Sequence, residues 1–186
     1  DDHLMCMQAK DTKMISKDTI FKIVCILFHN TTSDQEACEM KQRLVEDDVR
    51  RALKVLNLRR YYDNVPRIFM YITGKQPPQM TPSQENRVRQ RFRAIQGPFE
   101  RYCPASRKNF LPYFYIIFKI CEMECWHEFL PRCRLPKGKD KRVQADEIWK
   151  KMCTELNGQD PTMPWVFIAT PPPPPPMLTP LPVLRK

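Results

Sequence analysis

Apolar residues recur at three- and four-residue intervals through most of the chain, and that period builds helices. Residues 14–28 put Ile20, Ile23, Val24, Leu27 and Phe28 on one face, which predicts a helix buried in a domain. Asn30 to Ser33 read as a turn; with Ser33 as N-cap and Glu36 three residues on, residues 34–44 are expected to form a second, more polar helix. Val45, Val49, Ala52, Leu53 and Leu56 line one side of a third, and Glu46, Asp47 and Asp48 fall in its first turn, where the helix dipole favours anions. Pro66 suits the first turn of a short helix through Ile68, Phe69, Met70 and Ile72, which Gly74 can end in a left-handed conformation. Thr81-Pro82-Ser83-Gln84 combines a capping hydroxyl, a proline at the first helical position and a glutamine three residues after the cap. Val88, Phe92 and Ile95 then mark an apolar stripe before Gly97-Pro98. Residues 107–130 are the most hydrophobic, and Pro112 either sits in the first turn of a long central helix or kinks it. A basic loop from Arg132 to Lys141 leads to a last helix with Val143, Ile148, Trp149, Met152 and Leu156, and Trp165 to Ile168 is a short extended segment that closes the core. The class is mainly α: a compact helical domain of about six helices with a short extended C-terminal segment and a disordered Pro-rich tail.

Composition supports that class. The chain has 186 residues, of which 42% are hydrophobic, too many for a disordered chain, and its 4 glycines argue against a glycine-turned sandwich or a Rossmann-type loop. Proline reaches 19, but eight of these follow Thr170, six in a row from residue 171 to 176. The organisation expected is therefore residues 1–12 as disordered or a remnant of an upstream region, 13–170 as the helical domain and 171–186 as a proline-rich tail. That tail is either a polyproline II spacer or a ligand for a Pro-rich-motif reader. No signal-peptide pattern and no uninterrupted apolar run of membrane length is visible. The expectation is an intracellular protein, not secreted and without a membrane role, whose 8 cysteines are reduced. The first residue is Asp1, so the sequence reads as a fragment or a processed product.

Candidate chemistry is sparse. Cys121, Cys125, His127 and Cys133 form the densest metal-type group, but their spacing on a helix is poor and no C-x2-C pair exists, so buried core cysteines are the favoured reading and no zinc or other cofactor is expected. Cys103 lies near Arg101, Arg107 and Lys108, which would lower a thiol pKa, yet only three histidines exist and none is close in sequence. No phosphate loop, H-E-x-x-H or paired-carboxylate pattern appears, and an enzyme is not expected.

The basic residues carry more. Lysine and arginine number 31 against 21 acids, for a formal charge of +10, and only Arg185 and Lys186 of these cations fall in the tail. Arg87, Arg89, Arg91 and Arg93 alternate along one predicted helix and are expected to spread around its exposed side, followed by Arg107 and Lys108. A second cluster holds Arg132, Arg134, Lys137, Lys139, Lys141 and Arg142; a third holds Arg50, Arg51, Lys54, Arg59 and Arg60. Arg87, Arg89, Arg91, Arg93, Arg107, Lys108, Lys137, Lys139, Lys141 and Arg142 are the candidate nucleic-acid contacts, binding phosphate with no base-reading motif. A solvated face balanced by acids elsewhere is the competing reading. Phe110, Tyr113 and Trp149 are expected in the core rather than as base-stacking platforms.

Several blocks, in order, resemble the poxvirus late transcription factor 3 family of nucleocytoplasmic large DNA viruses. They are Tyr61-Tyr62 before Pro66, Ile72-Thr73-Gly74 with Pro77-Pro78, Phe92 with Ile95-Gln96, Arg107 through Tyr113, and Ile148-Trp149-Lys150-Lys151-Met152-Cys153. The resemblance covers residues 45–168, and residues 13–44 look like the family's preceding segment. It implies a non-enzymatic trans-activator of viral late genes, acting with viral RNA polymerase or other late transcription factors on DNA at late promoters, in the host cytoplasm (the virus factory) or the nucleus. Family members usually carry an N-terminal zinc ribbon of paired cysteines; here Cys6 stands alone near the start. The alternative function is a protein-interaction adaptor without direct nucleic-acid binding, using the helical body and the Pro-rich tail. Arg107, Lys108 and Asn109 are expected at the start of the central helix, with two readings open: a surface awaiting an anionic partner, or Asn109 as helix cap with Arg107 paired to a carboxylate.

Overall fold

The capping signals set most of the helix boundaries. The computed structural model describes residues 1–104, 107 and 109–172; Lys108 and the tail from residue 173 lie outside the described residues. Helix α1 spans Asp2–Met7, α2 Lys17–Leu27, α3 Asp34–Arg43, α4 Glu46–Val55, α5 Val65–Thr73, α6 Pro82–Ala94, α7 Gln96–Tyr102, α8 Tyr113–Met123 and α9 Lys139–Leu156. Short 3₁₀ turns occupy Arg59–Tyr61 and His127–Arg132, and no strand occurs among the described residues.

Ser33 Oγ accepts the Glu36 amide at 3.2 Å and starts α3, as read from sequence, while the Glu36 carboxylate reaches back to the Thr32 amide at 2.7 Å. Thr81 and Gln84 close a reciprocal capping box at the start of α6, with bonds of 2.9 and 3.2 Å. Gly74 ends α5 at φ 77°, a left-handed conformation that costs a residue with a Cβ about 1 kcal/mol or more.

Three departures from the sequence reading have physical causes. Residues 1–12, expected as disordered or a remnant, contain α1, which buries Leu4, Cys6 and Met7 between α5 and α8. Six residues are too few to show a period, and a helix this short exists only because packing holds it. Gln8, just beyond α1, accepts the Met80 amide at 2.6 Å, and Asp11 accepts from Asn64 at 2.9 Å, so the segment is pinned along its length. Gly97-Pro98 does not end the helical path. Instead α7 starts at once, with Pro98 in its first turn, where a missing N–H costs little. The central helix is shorter than residues 107–130, because Pro112 occupies its N-cap and Cys125 takes φ 58° beyond its end.

Two apolar cores result. One gathers α1, α6, α7, α8, α9 and Trp165 around the fully buried Trp149, Tyr115 and Ile116. The other, smaller, joins α2, α4 and α5 through Ile23, Val49, Leu53, Val65 and Ile68. The residues from Pro164 to Pro171 run without regular structure along the larger core. Buried or half-buried side chains hold them by the backbone: Arg91 donates to the Pro164 carbonyl at 3.0 Å, Lys119 to Ile168 at 2.5 Å and Arg142 to Pro171 at 2.5 Å. Asp146 accepts the Thr170 amide at 2.8 Å. The segment thus closes the core, as its apolar residues led one to expect, but on side-chain struts rather than a sheet ladder.

Candidate nucleic-acid interface

The four alternating arginines of α6 do not spread around one exposed side. Residues two apart lie about 200° apart on a helix, whereas residues four apart nearly eclipse. Arg87 and Arg91 therefore share one face, and Arg89 and Arg93 share the opposite one. Arg91 is only 2% exposed, and its guanidinium donates to Glu124 at 2.5 Å, to the Pro164 carbonyl, and lies 4.9 Å over the Trp165 ring. Arg87 supports the same corner, 3.6 Å from Glu124 and 3.3 Å from the Thr162 carbonyl. The desolvation cost of such a buried cation is repaid only by full pairing, so Arg91 is a strut and is corrected out of the candidate contacts.

The opposite face looks out over a groove of about 440 Å³ between α1, α6 and α8. Arg89 donates to Asp1 at 2.8 Å and to Glu85 at 3.3 Å. Arg93 is exposed and, among the described residues, has no ion pair. Rings line the groove: Tyr113 lies nearly parallel to His3 at 4.8 Å and to Phe92 at 5.9 Å, and Phe92 leans on Phe110, which packs on Phe99 at 4.2 Å. Tyr113, expected in the core, keeps 47% of its surface open, whereas Tyr115 and Trp149 are fully buried and Phe110 is half-buried. The difference arises because Tyr113 is the first residue of α8, off its packed stripe. The signal was the YFY triplet beside Pro112, since a helix start turns only one of those two tyrosines inward.

Arg107 does not stand at the start of the central helix, and it pairs with carbonyls rather than a carboxylate. It is outside the helix, and its guanidinium folds onto the carbonyls of Asn109 at 2.8 Å and Phe110 at 3.3 Å, while Pro112, not Asn109, holds the cap position. Lys108 lies outside the described residues.

In the second basic cluster Lys137, Lys139 and Lys141 are exposed at the start of α9. Arg142 is 8% exposed and clamps the carbonyls of Pro136 and Pro171, so it too is corrected from surface contact to strut. That clamp fixes the cluster to the C-terminal segment rather than to α6. Arg132 and Arg134 turn away to Glu46 and Asp47 at the start of α4. The third cluster divides: Arg50 is half-buried and donates to the Tyr62 carbonyl at 3.3 Å and Arg51 pairs with Asp48, while Lys54, Arg59 and Arg60 are exposed, Arg60 and the nearby Lys13 flanking the Tyr61 ring at 4.9 and 5.2 Å.

The cysteines have unlike surroundings. Cys121 and Cys133 are buried, and the Cys133 thiol lies 3.7 Å from the Met7 sulfur, its pKa raised well above the ordinary value by hydrogen bonding to Cys121 and by burial. Burial likewise pushes Cys6 up to about 11 and Cys153 up to about 12. Cys125 is exposed, so the C-x3-C-x-H-x5-C residues divide between core and surface. Among the described residues no group of three or more histidine, cysteine or acidic side chains is arranged to hold a metal ion. Cys103 turns its thiol onto the Arg107 carbonyl at 3.5 Å.

The comparisons with known proteins decide the family. The model for Poxvirus Late Transcription Factor VLTF3 like proteins matches residues 1–159. The chain belongs to that family. The match includes α1. Candidate transcription factor R429 of Acanthamoeba polyphaga mimivirus is 40% identical over 121 residues, 62% of this chain and 28% of that protein. Candidate transcription factor A494R of Paramecium bursaria Chlorella virus 1 is 34% identical over 173 residues, 90% of this chain and 43% of that protein. Mimivirus R430, another candidate transcription factor, is 28% identical over 158 residues, 76% of this chain and 60% of that protein. This member of the VLTF3-like family thus spans between about a quarter and three fifths of the length of these relatives. No solved structure matches it. No helix among the described residues is long and apolar enough to cross a membrane.

Proposed function

We propose that the chain is the helical domain of a viral late-gene transcription factor, not an enzyme, which binds nucleic-acid phosphates through the outward face of α6 and acts with viral RNA polymerase or other late factors at late promoters. The observation that carries the reading is the division of α6: Arg93 stands exposed and unpaired among the described residues, beside Arg89 and the aromatic groove, in a chain of the VLTF3-like family. The exposed Lys137, Lys139 and Lys141 extend the same electrostatic attraction over the surface. Such a factor works inside the infected cell, in the cytoplasmic virus factory or the nucleus, and needs no cofactor in this domain.

The test is affinity for late-promoter duplexes at rising salt, for the wild type and for Arg89→Glu/Arg93→Glu. The expected log affinity falls steeply with log salt, and the variant's slope is shallower by about one for each arginine that holds a phosphate. A flat wild-type response, or no binding at low salt, would remove the nucleic-acid half. The adaptor reading has one observation in its favour, that Arg91 and Arg142 are buried struts and Arg87 is turned to Glu124 and the Thr162 carbonyl. If the double variant bound and activated normally while removal of residues 173–186 abolished activation, that reading would replace this one.

A further inference from the structure

The groove beside Arg93 contains more than phosphate binding needs. A surface that only neutralises phosphates is built of cations, yet this one has a row of rings and, at its α1 end, the carboxylates of Asp1 and Asp2. Its volume of about 440 Å³ lies within the roughly 300–1,000 Å³ of small-molecule sites. Tyr113 projects from the first turn of α8 with nearly half its surface open, held at a fixed tilt by His3 and Phe92. Fixing the ring in advance lowers the ordering cost of stacking something against it.

We propose that this groove receives an unpaired nucleobase against Tyr113, so that the domain prefers single-stranded over duplex nucleic acid. The inference rests on the phosphate-binding reading of α6 and names its substrate class. A nucleotide presents an anion, a π-face and an edge carrying amino or imino N–H donors. Arg93 meets the first, the Tyr113 ring the second, and the carboxylates of Asp1 and Asp2 can accept from the third. Arg89, tied to both Asp1 and Glu85, spaces the cationic rim from the acidic end. A base inside a duplex offers neither face nor pairing edge to such a groove without being flipped out. Single-stranded DNA and RNA share this chemistry, and the experiment contains both.

The experiment measures fluorescence anisotropy of the full chain with a mixed-sequence single-stranded DNA, the RNA of the same sequence, and the DNA duplex, at one low salt concentration. Wild type, Tyr113→Ala, Tyr113→Phe and Arg93→Glu are compared, with circular dichroism and thermal melting as controls of folding. Expected are tighter binding of a single strand than of the duplex, a loss of roughly 5- to 100-fold in single-strand affinity for Tyr113→Ala, little change in its duplex affinity, and near-normal binding by Tyr113→Phe. The DNA and RNA arms identify which strand is preferred. If Tyr113→Ala leaves single-strand affinity unchanged, or weakens all three ligands alike, the base-stacking inference is wrong, while a loss of all binding in Arg93→Glu would keep the phosphate reading. If wild type binds none of the three, the phosphate reading fails and this inference fails with it.

Discussion

Arg91 and Arg93 are two residues apart on one helix, and their surroundings are opposite. Arg91 is buried between Glu124, Trp165 and the Pro164 carbonyl; Arg93 stands in solvent beside a groove of rings. The sequence around them is the same repeat of arginine and a spacer, so the residue type does not decide the role. Helical phase does. The inward face turns arginine into a strut that holds the C-terminal segment, and the outward face leaves it available to an anion.

The comparison breaks first, and hardest, at Arg91. Arg91→Ala should lower stability by about 3–5 kcal/mol, because Glu124 and the Pro164 carbonyl would be left without their partner in a desolvated corner. Urea unfolding measures it, and a loss under about 1 kcal/mol would mean that the corner is wet. Tyr115→Phe probes the same inner side less severely. Its hydroxyl donates to Asp146 at 2.7 Å, the carboxylate that also holds Thr170, and removing it should cost about 1–2 kcal/mol in the same assay. Thr81→Ala weakens the start of α6 beneath both faces and should cost about 1 kcal/mol through the lost capping box. Arg93→Glu should change stability by no more than about 0.5 kcal/mol while weakening nucleic-acid binding, which would separate the two faces cleanly.

The smallest effect is one of pH. Burial alone would raise the Glu85 carboxyl, but hydrogen bonds from Lys10 and Gln8, the Lys10 charge and a bond from Arg89 outweigh it and hold the group below its ordinary value of 4.5. A carboxyl depressed in the folded state stabilises fully above its unfolded pKa and loses that contribution as pH falls through its folded one. Acidifying from neutrality to below that ordinary range should therefore cost the wild type slightly more stability than Glu85→Gln, as read by thermal melting across a pH series.

Much of the fold was legible because its signals are local. Ser33 with Glu36, Thr81 with Gln84, Pro66 and Gly74 each act within one turn, and each marks a boundary that the structure keeps. What was not legible depends on contacts distant in sequence. Helix α1 is too short for a period and is made by packing against α5 and α8. Arg142 looks like its neighbours Lys139 and Lys141 until Pro171, 29 residues later, folds back onto it. The candidate interface was half legible: the arginines of α6 were visible, and their split could have been read from the 100° step alone. The groove was not, since His3, Phe92 and Tyr113 come from three separate helices and meet only in the tertiary structure. The buried cations show the limit of charge counting. A formal charge of +10 describes the chain, but which cations face solvent is set by helical phase and by where the C-terminal segment lies.

The central claim is that the two faces of α6 have separable roles, and the salt dependence of promoter-duplex affinity in Arg87→Ala and Arg93→Ala tests it most directly. Arg87 is one third exposed at its side chain, so its loss leaves the fold intact while removing a cation from the inner face. The account predicts that Arg93→Ala makes the slope of log affinity against log salt shallower by about one, and that Arg87→Ala leaves the slope at the wild-type value. Equal slopes in the two variants, whether both reduced or both unchanged, would contradict it.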